Sequence, residues 1–194
     1  MTYLLIGLFL FLLGCAHPLL PSDRWEIKIV HSVQIHLSGK PFQRIFQEIW
    51  LFGLTTFALT ALALLTAVNW KIGLVALSIF SITVGIERLV KAAFNRQRPF
   101  QEIPQIAMLQ PREPHDPSYP SGDVLRIWYL ALIISTLLGS PAFWAAAVIL
   151  ALVVSLGRLV MGVHYLSDVI GGAGLGITAA GFTIWLWHMF QSIG

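Results

Sequence analysis

The sequence predicts an all-α membrane protein: a polytopic bundle of about six transmembrane helices, with one further amphipathic helix at the interface. Of the 194 residues, 57% are hydrophobic and only 11% are charged, whereas a soluble domain has about 25% charged residues. The charge-free runs are long and continuous, which is typical of helices rather than barrel strands. This composition argues against a soluble enzyme, a disordered chain and, with one cysteine, a secreted disulfide scaffold.

The predicted spans follow from the runs that lack charged side chains, and the whole chain, 1–194, is predicted to be a single membrane-embedded domain. The run 127–157 is too long for one span, and Gly139-Ser140-Pro141 divides it in two. In chain order the six spans are 3–16, 49–70, 72–94, the two halves of 127–157, and 169–194.

The first span resembles the end of a signal peptide, because Leu-Leu-Gly at 12–14 precedes Cys15, a cysteine that a lipid can modify. The chain begins Met-Thr-Tyr, however, without the positive side chains that open a standard signal peptide. We therefore expect a retained helix.

Two polar stretches connect the spans. Residues 23–47 carry Trp25, Ile29 and Val33 at helical spacing, which predicts a helix lying in the interface. Alternation of Trp25, Ile27 and Ile29 also fits a strand, and the membrane setting favours the helix. Residues 95–119 contain five prolines, so we expect a loop without regular structure.

A first group of candidate functional residues lies where the third span ends. Lys91 and Arg98 are seven residues apart, so they would share one face if the helix continued as far as Pro99. Two such cations can hold a phosphate. The alternative is that both side chains extend to the interface to keep their charges in water.

A second group directly precedes the fourth span. Pro120 and Ser121 suit a helix start, and Gly122 lets an anion approach the backbone closely. Asp123 follows, and a carboxylate in the first turn also complements the helix dipole. The pattern therefore fits a phosphate site and an ordinary helix cap equally well.

A third group lies between the last two spans. His164 and Asp168 are four residues apart, so on a helix the carboxylate would orient one ring nitrogen and leave the other free to act as nucleophile or base. Arg158 lies off that face unless Gly162 breaks the helix. The alternatives are a His–Asp metal pair, for which no third ligand is evident nearby, and a histidine that caps a loop.

With six spans, all three groups fall at helix ends on the same side of the membrane. Their pattern, Lys91-x6-Arg98-Pro99, then Pro-Ser-Gly, then Arg158-x5-His164-x3-Asp168, resembles the signature of the type-2 phosphatidic acid phosphatase and haloperoxidase superfamily, from about residue 45 to 175.

The resemblance implies a membrane phosphatase that uses no metal or other cofactor. His164 would attack phosphorus and form a phosphohistidine, and Asp168 would orient and polarise the imidazole ring of His164. Water would then release the phosphate. The implied phosphate-binding residues are Lys91, Arg98, Ser121, Gly122 and Arg158.

One position departs from the family pattern. The family usually has histidine after Pro-Ser-Gly as the general acid, and this chain has Asp123. Asp123 could itself be protonated and act as the acid, or the leaving group could need little protonation, as when a diphosphate releases a phosphate. The protein could also bind lipid phosphates with little turnover. His115, in the preceding loop, is a further candidate acid.

Three other charged residues lie near these groups. Glu87, four residues before Lys91, is expected to pair with it. For Arg96 and Arg126 we favour contact with lipid headgroups over contact with the phosphate.

The expected partners are a lipid phosphate substrate and the surrounding membrane lipids, with no nucleic acid; the sequence does not indicate an oligomeric state or choose among lipid phosphates. The positive-inside rule favours a site facing the cytoplasm, whereas many bacterial relatives are thought to act on the outer side, so both orientations stay open. The cations on the side of the site, against Lys71 opposite, are Arg24, Lys28, Lys40, Arg44 and Arg112.

Overall fold

A computed structural model of the chain describes residues 2–19 and 24–193, which form α-helices, two short 3₁₀ helices and no strand. This confirms the all-α class. The α-helices are α1 (Thr2–Cys15), α2 (Arg24–Leu37), α3 (Lys40–Ile49), α4 (Thr55–Val68), α5 (Trp70–Phe94), α6 (Pro99–Glu102), α7 (Gly122–Leu138), α8 (Pro141–Val160) and α9 (Leu166–Ile193).

Several predicted helices lie where the hydrophobic runs place them. Helix α5 begins after Asn69, whose side chain accepts a hydrogen bond from the backbone N–H of Ile72. The run 127–157 is divided as expected: Gly139 adopts a left-handed conformation (φ +61°) after α7, and Ser140 caps the start of α8.

The second predicted span, 49–70, is not one straight helix. A 3₁₀ turn (Trp50–Gly53) and the extended residue Leu54 separate α3 from α4, and the two helices meet at an angle of 50°. A Cβ added to Gly53 would lie 2.6 Å from Cβ of Asp123, so only glycine permits this close approach. The break therefore brings the chain against the start of α7.

Two further expectations need correction. The stretch 23–47 forms two helices, α2 and α3, rather than one, because the chain breaks at Ser38 and Gly39; its first residue, Asp23, lies outside the described residues. The loop 95–119 contains one helical turn, α6, which begins at Pro99 because proline suits the first position of a helix.

By length and composition, three stretches of the described chain could cross a membrane: Trp70–Glu102, Pro141–Val160 and Leu166–Ser192. The bent pair formed by Lys40–Gly53 and Thr55–Val68 would be a fourth. Helix α1 is apolar but has only 14 residues. The predicted count of six spans is thus not confirmed.

The helices pack closely through glycine. Helix α1 lies along α9, where Gly7 faces Gly174 and Gly14 faces Gly171. Helix α7 also packs on α9 and is held to α5 by Tyr129, whose hydroxyl donates to the carbonyl of Ala76 at 2.7 Å. This packing fixes the N-terminal ends of α7 and α9 beside each other.

Candidate active site

The three groups of residues predicted from the sequence meet at one end of the bundle. The backbone carbonyl of Asp168 accepts a hydrogen bond from Ser121 N at 3.0 Å, which joins the second group to the third. Arg98 Nη1 donates to the carbonyl of Val163 at 2.9 Å and lies 3.2 Å from Nε2 of His164, which joins the first group to the third.

The route that brings Lys91 and Arg98 together differs from the expectation. Helix α5 ends at Phe94, where Asn95 takes a left-handed conformation (φ 42°), so the two cations do not share one continuous helix. Both nevertheless bind the carboxylate of Asp116, with Lys91 Nζ 2.6 Å and Arg98 Nη2 2.8 Å from its two oxygens. Asp116, which lies in the proline-rich loop, is not among the residues predicted from the sequence.

His164 lies just before α9 rather than on it. Gly162 (φ +70°) ends the preceding turn, as predicted, and lets the chain reverse between α8 and α9. Arginine can only donate hydrogen bonds, so Nε2 of His164 accepts from Arg98 and the proton lies on Nδ1. The ring nitrogen beside Arg98 is thus the one with a lone pair.

Asp168 reaches His164 partly through a serine. Its Oδ2 atom lies 3.6 Å from Nδ1 of His164, too far for a strong hydrogen bond. The hydroxyl of Ser118 bridges the gap, since it donates to Oδ2 at 2.5 Å and lies 3.4 Å from Nδ1. Ser118 was not predicted, because nothing in its spacing marks it.

His164 is held in its neutral form. It is 3% exposed, and its burial, followed by the positive charge of Arg98, lowers its pKa to about 4. A neutral imidazole with a lone pair on Nε2 is the form that can act as a nucleophile.

Asp123 forms ion pairs with two arginines. Its Oδ2 atom lies 2.6 Å from Nη1 of Arg158, which is fully buried, and its Oδ1 atom lies 3.3 Å from Nη1 of Arg126. Gln110 accepts a further bond from Arg158 at 3.2 Å. Asp123 and His164 line the same cavity, so Arg158, the partner of Asp123, lies at the same end of the bundle as His164.

Buried donors near Asp123 lack a partner. These are the hydroxyl of Ser121, the Nε and Nη2 groups of Arg158 and the Nε group of Arg126. An unsatisfied buried polar group costs about 1–3 kcal/mol, and the acceptor oxygens of a phosphate would satisfy such donors. A Cβ at Gly122 would collide with the ends of the Glu87 and Arg126 side chains, so a larger residue there would have to displace this ion pair.

A cavity of about 390 Å³ opens at this site. It is lined by predicted residues from all three groups and by His115, the candidate acid. Ser121, Arg158 and Asp168 are buried next to it. The predicted residues that line it are Lys91, Arg98, Gly122, Asp123 and His164.

Arg96 and Arg126 belong to this site, so the expectation that they contact lipid headgroups is wrong. Their side chains are 10% and 12% exposed. Arg126 pairs with Glu87 at 3.4 Å as well as with Asp123, and Arg96 pairs with Asp168 at 2.9 Å. Buried charges need partners, and these carboxylates provide them.

Glu87 lies 3.7 Å from Lys91, as predicted. Five basic side chains in and beside the cavity therefore each face at least one carboxylate. The basic residues are Lys91, Arg96, Arg98, Arg126 and Arg158, and the carboxylates are Glu26, Glu87, Asp116, Asp123 and Asp168. Among residues 2–19 and 24–193, no group of three or more His, Cys, Asp or Glu side chains is arranged to hold a metal ion.

The family model of the PAP2 superfamily matches residues 70–192, well over half of the chain. The chain belongs to the PAP2 superfamily. The matched range contains all eight predicted site residues, whereas α1 to α4 lie before it.

This PAP2 chain is also similar to individual proteins. It is 37% identical over 123 residues to an undecaprenyl-diphosphatase of Sulfolobus acidocaldarius, and the matched part is 60% of this chain and 56% of that relative. The match thus covers little more than half of the relative's length.

Solved structures share the fold. The first transmembrane PAP2 type phosphatidylglycerolphosphate phosphatase from Bacillus subtilis matches with a TM-score of 0.84 and 18% identity, over 97% of this chain and 98% of that one. LpxE of Aquifex aeolicus matches with a TM-score of 0.73 and 20% identity, over 81% and 93%. Together with the apolar helices, these matches identify this PAP2 protein as an integral membrane protein.

Proposed function

We propose that this protein hydrolyses a lipid phosphate through a phosphohistidine intermediate at His164, without a metal. The observation that carries the proposal is the neutral imidazole of His164 at the cavity. Its Nε2 atom, which carries a lone pair, lies 3.2 Å from Nη1 of Arg98, a cation that can bind phosphate. The unsatisfied donors of Ser121 and Arg158 nearby would stabilise the charge on the phosphate oxygens.

The reaction would proceed in two displacements. When phosphate binds, Arg98 donates its hydrogen bond to a phosphate oxygen instead of to Nε2 of His164, which frees the lone pair of Nε2. Nε2 then attacks phosphorus while the bond to the leaving oxygen breaks. Asp168 and Ser118 hold the Nδ1 proton in place and stabilise the positive charge of the ring. Water next attacks phosphorus, the P–N bond breaks, and inorganic phosphate leaves.

The surroundings of Asp123 favour a lipid diphosphate over a lipid phosphate monoester as the substrate. Its two ion pairs, with Arg158 and Arg126, engage both carboxylate oxygens, so its carboxylate is suited to hold Arg158 rather than to donate a proton. A leaving group that is itself a phosphate needs little protonation. The name of the Sulfolobus relative, undecaprenyl-diphosphatase, agrees with such a substrate.

An amphiphilic substrate fits the position of the site. A second cavity, between the start of α4 and the end of α5, shares Lys91 and Asp116 with the first and adds Val84 and Ala92. A headgroup could bind the cations while its apolar chain remains in lipid beside α4 and α5. We propose accordingly that the protein spans the membrane several times, with this end at one surface.

The alternative is a lipid-phosphate-binding protein with little turnover. It is favoured by the carboxylate partners of the cations and by Asp123 at the position of the family's histidine. Binding without release of phosphate would distinguish this alternative from an enzyme.

The deciding experiment measures phosphate release by purified protein in detergent from phosphatidic acid, a polyprenyl monophosphate and a polyprenyl diphosphate. We expect release from the diphosphate, and its loss in His164→Ala. His31→Ala, at an exposed position on α2, is the matched control and should retain activity. If wild type binds these lipids but releases no phosphate, the alternative holds.

Asp123→Asn separates the possible roles of that carboxylate. If Asp123 only holds Arg158, the variant should lose activity by a similar factor on the monophosphate and the diphosphate. If it is the general acid, the loss should be much larger on the monophosphate, whose leaving group needs a proton. Unchanged turnover on both substrates would exclude both roles.

A further inference from the structure

Glu26, on helix α2, is a buried carboxylate that reaches the end of the bundle where the candidate site lies. It is 1% exposed, although it lies on a helix whose Trp25 and Lys28 are exposed. Its Oε2 atom accepts from Nη2 of Arg96 at 2.7 Å, and its Oε1 atom accepts from the backbone N–H of Ser167 at 2.7 Å. Burying a charge this deeply is costly unless its partners are well placed.

Arg96 connects Glu26 to Asp168. Its Nη1 group donates to Oδ1 of Asp168 at 2.9 Å and to the hydroxyl of Ser167 at 2.6 Å. Its guanidinium also lies 4.0 Å from the centre of the Tyr165 ring. One arginine is thus placed between two buried carboxylates, at the oxygen of Asp168 that faces away from His164.

The charges of these three groups determine what Asp168 can do. An arginine paired with Asp168 alone would cancel the negative charge that should stabilise a positive ring on His164. With Glu26 present, the group formed by Glu26, Arg96 and Asp168 keeps one net negative charge. Arg96 can then fix the position of Asp168 without neutralising it.

We propose that Glu26 is a positioning residue for the reaction at His164, because it balances Arg96 and so preserves the negative charge of Asp168. This inference rests on the proposed function for its kinetic consequence, but its electrostatic consequence does not depend on turnover. Glu26 lies outside residues 70–192, so α2 adds a group to the site that the matched part of the family does not contain.

The kinetic test compares Glu26→Gln with Glu48→Gln, a matched substitution at an exposed position on the neighbouring helix α3. For Glu26→Gln we expect kcat to fall about tenfold, because one charge near the reacting ring is lost. The KM should change little, because Lys91 and Arg98 are untouched. Glu26→Asp, which keeps the charge, should recover part of kcat; a loss equal to that of Glu26→Gln would overturn the proposal.

The electrostatic test follows the titration of His164 by NMR of ¹³C-labelled histidine in detergent. Asp168, Arg98 and Lys91 face His164, and His17 lies near Glu26 and Asp168, so its signal is assigned separately. Glu26→Gln should lower the midpoint of His164 by about half a pH unit or more, and Glu48→Gln should not change it. An unchanged midpoint in folded Glu26→Gln would overturn the proposal.

A second variant covers the case in which Glu26→Gln does not fold. Arg96→Gln removes the positive charge and leaves both carboxylates, so the midpoint of His164 should rise instead of fall. A purely structural role would not produce this opposite sign. If wild type releases no phosphate from any lipid, the proposed function fails, while the two titrations still decide whether Glu26 and Arg96 set the charge beside His164.

Discussion

His164 carries a charge state that burial imposes, and this makes the stability of the protein depend on pH. Its pKa in the folded protein, about 4, lies below the pKa of 6.5 of an unperturbed histidine. Between these two values the unfolded chain binds a proton that the folded chain does not. The contribution of neutral His164 to stability is therefore complete above pH 6.5 and is lost as the pH falls towards 4.

We expect His164→Asn to reduce this dependence. Thermal unfolding in detergent between pH 7 and pH 4.5 should show a steeper fall in Tm for wild type than for the variant, because only wild type protonates this side chain on unfolding. His31→Ala, which changes an exposed histidine, should keep the wild-type slope. Equal slopes for wild type and His164→Asn would contradict the neutral imidazole.

Asp116 occupies the position between Lys91 and Arg98 where we place a phosphate. Partial burial acts to raise its pKa, but the charges of Lys91 and Arg98 hold the pKa well below the usual range of a carboxyl, so the group is ionised. Its side chain is 55% exposed, which makes it the most accessible of the five carboxylates that pair with the basic side chains. A phosphate must displace it.

Asp116→Asn should therefore bind inorganic phosphate more tightly, by about fivefold, since a partly exposed ion pair contributes at most about 1 kcal/mol. The measurement is calorimetric titration of the detergent-solubilised protein. Glu113→Gln, an exposed carboxylate that lines the same cavity without an ion pair to these cations, is the control. Weaker binding by Asp116→Asn would show that Asp116 instead positions the two cations.

The sequence predicts the residues proposed to react with or bind phosphate better than the residues that position them. His164, Arg98 and Arg158 could be found because their spacing matches a pattern of charges at helix ends. Ser118 and Glu26 could not, because their contacts join segments 50 and 141 residues apart, as in Ser118 to Asp168 and Ser167 to Glu26. Such contacts depend on how the helices pack and not on local spacing.

At the scale of the elements, the contact between α1 and α9 depends on glycine. A Cβ added to Gly174 would lie 2.7 Å from the carbonyl oxygen of Gly7 and in collision with the backbone nitrogen of Phe11. Backbone atoms cannot move aside as a flexible side chain can. The two helices can therefore lie this close only without a side chain at Gly174.

Gly174→Ala should destabilise the protein by roughly 1–3 kcal/mol, as overpacking does in other interiors. Thermal unfolding in detergent would show a lower Tm. Gly85→Ala, on the exposed side of α5 with nothing near the added Cβ, should leave the Tm unchanged or raise it, because alanine favours a helix. A similar Tm for both variants would contradict the close contact.

Helix boundaries were predictable where local signals exist. Gly139, Ser140 and Pro141 divide α7 from α8 as their residue types indicate. The break at Leu54 was missed, because Trp50–Gly53 is as apolar as the helix that follows and hydropathy does not record backbone direction. The same limit explains why one amphipathic stretch was predicted where α2 and α3 are separate helices.

At the scale of the whole molecule, the alternation of helices accounts for the meeting of distant residues. The ends of α5 and α8 and the starts of α7 and α9 lie at the same end of the bundle, as the sequence predicts from the order of the spans. This prediction holds although the number of spans is not confirmed, because it requires only that these four helices alternate in direction.

Five basic side chains of the site each pair with a carboxylate, and this has a consequence for how substrate arrives. Opposite charges in contact produce little electric field at a distance, so the site exerts only a weak long-range pull on an anion. Ionic strength should then have little effect on the association rate. A lipid would reach the cavity mainly by lateral diffusion in the bilayer plane, and selection would begin only at contact.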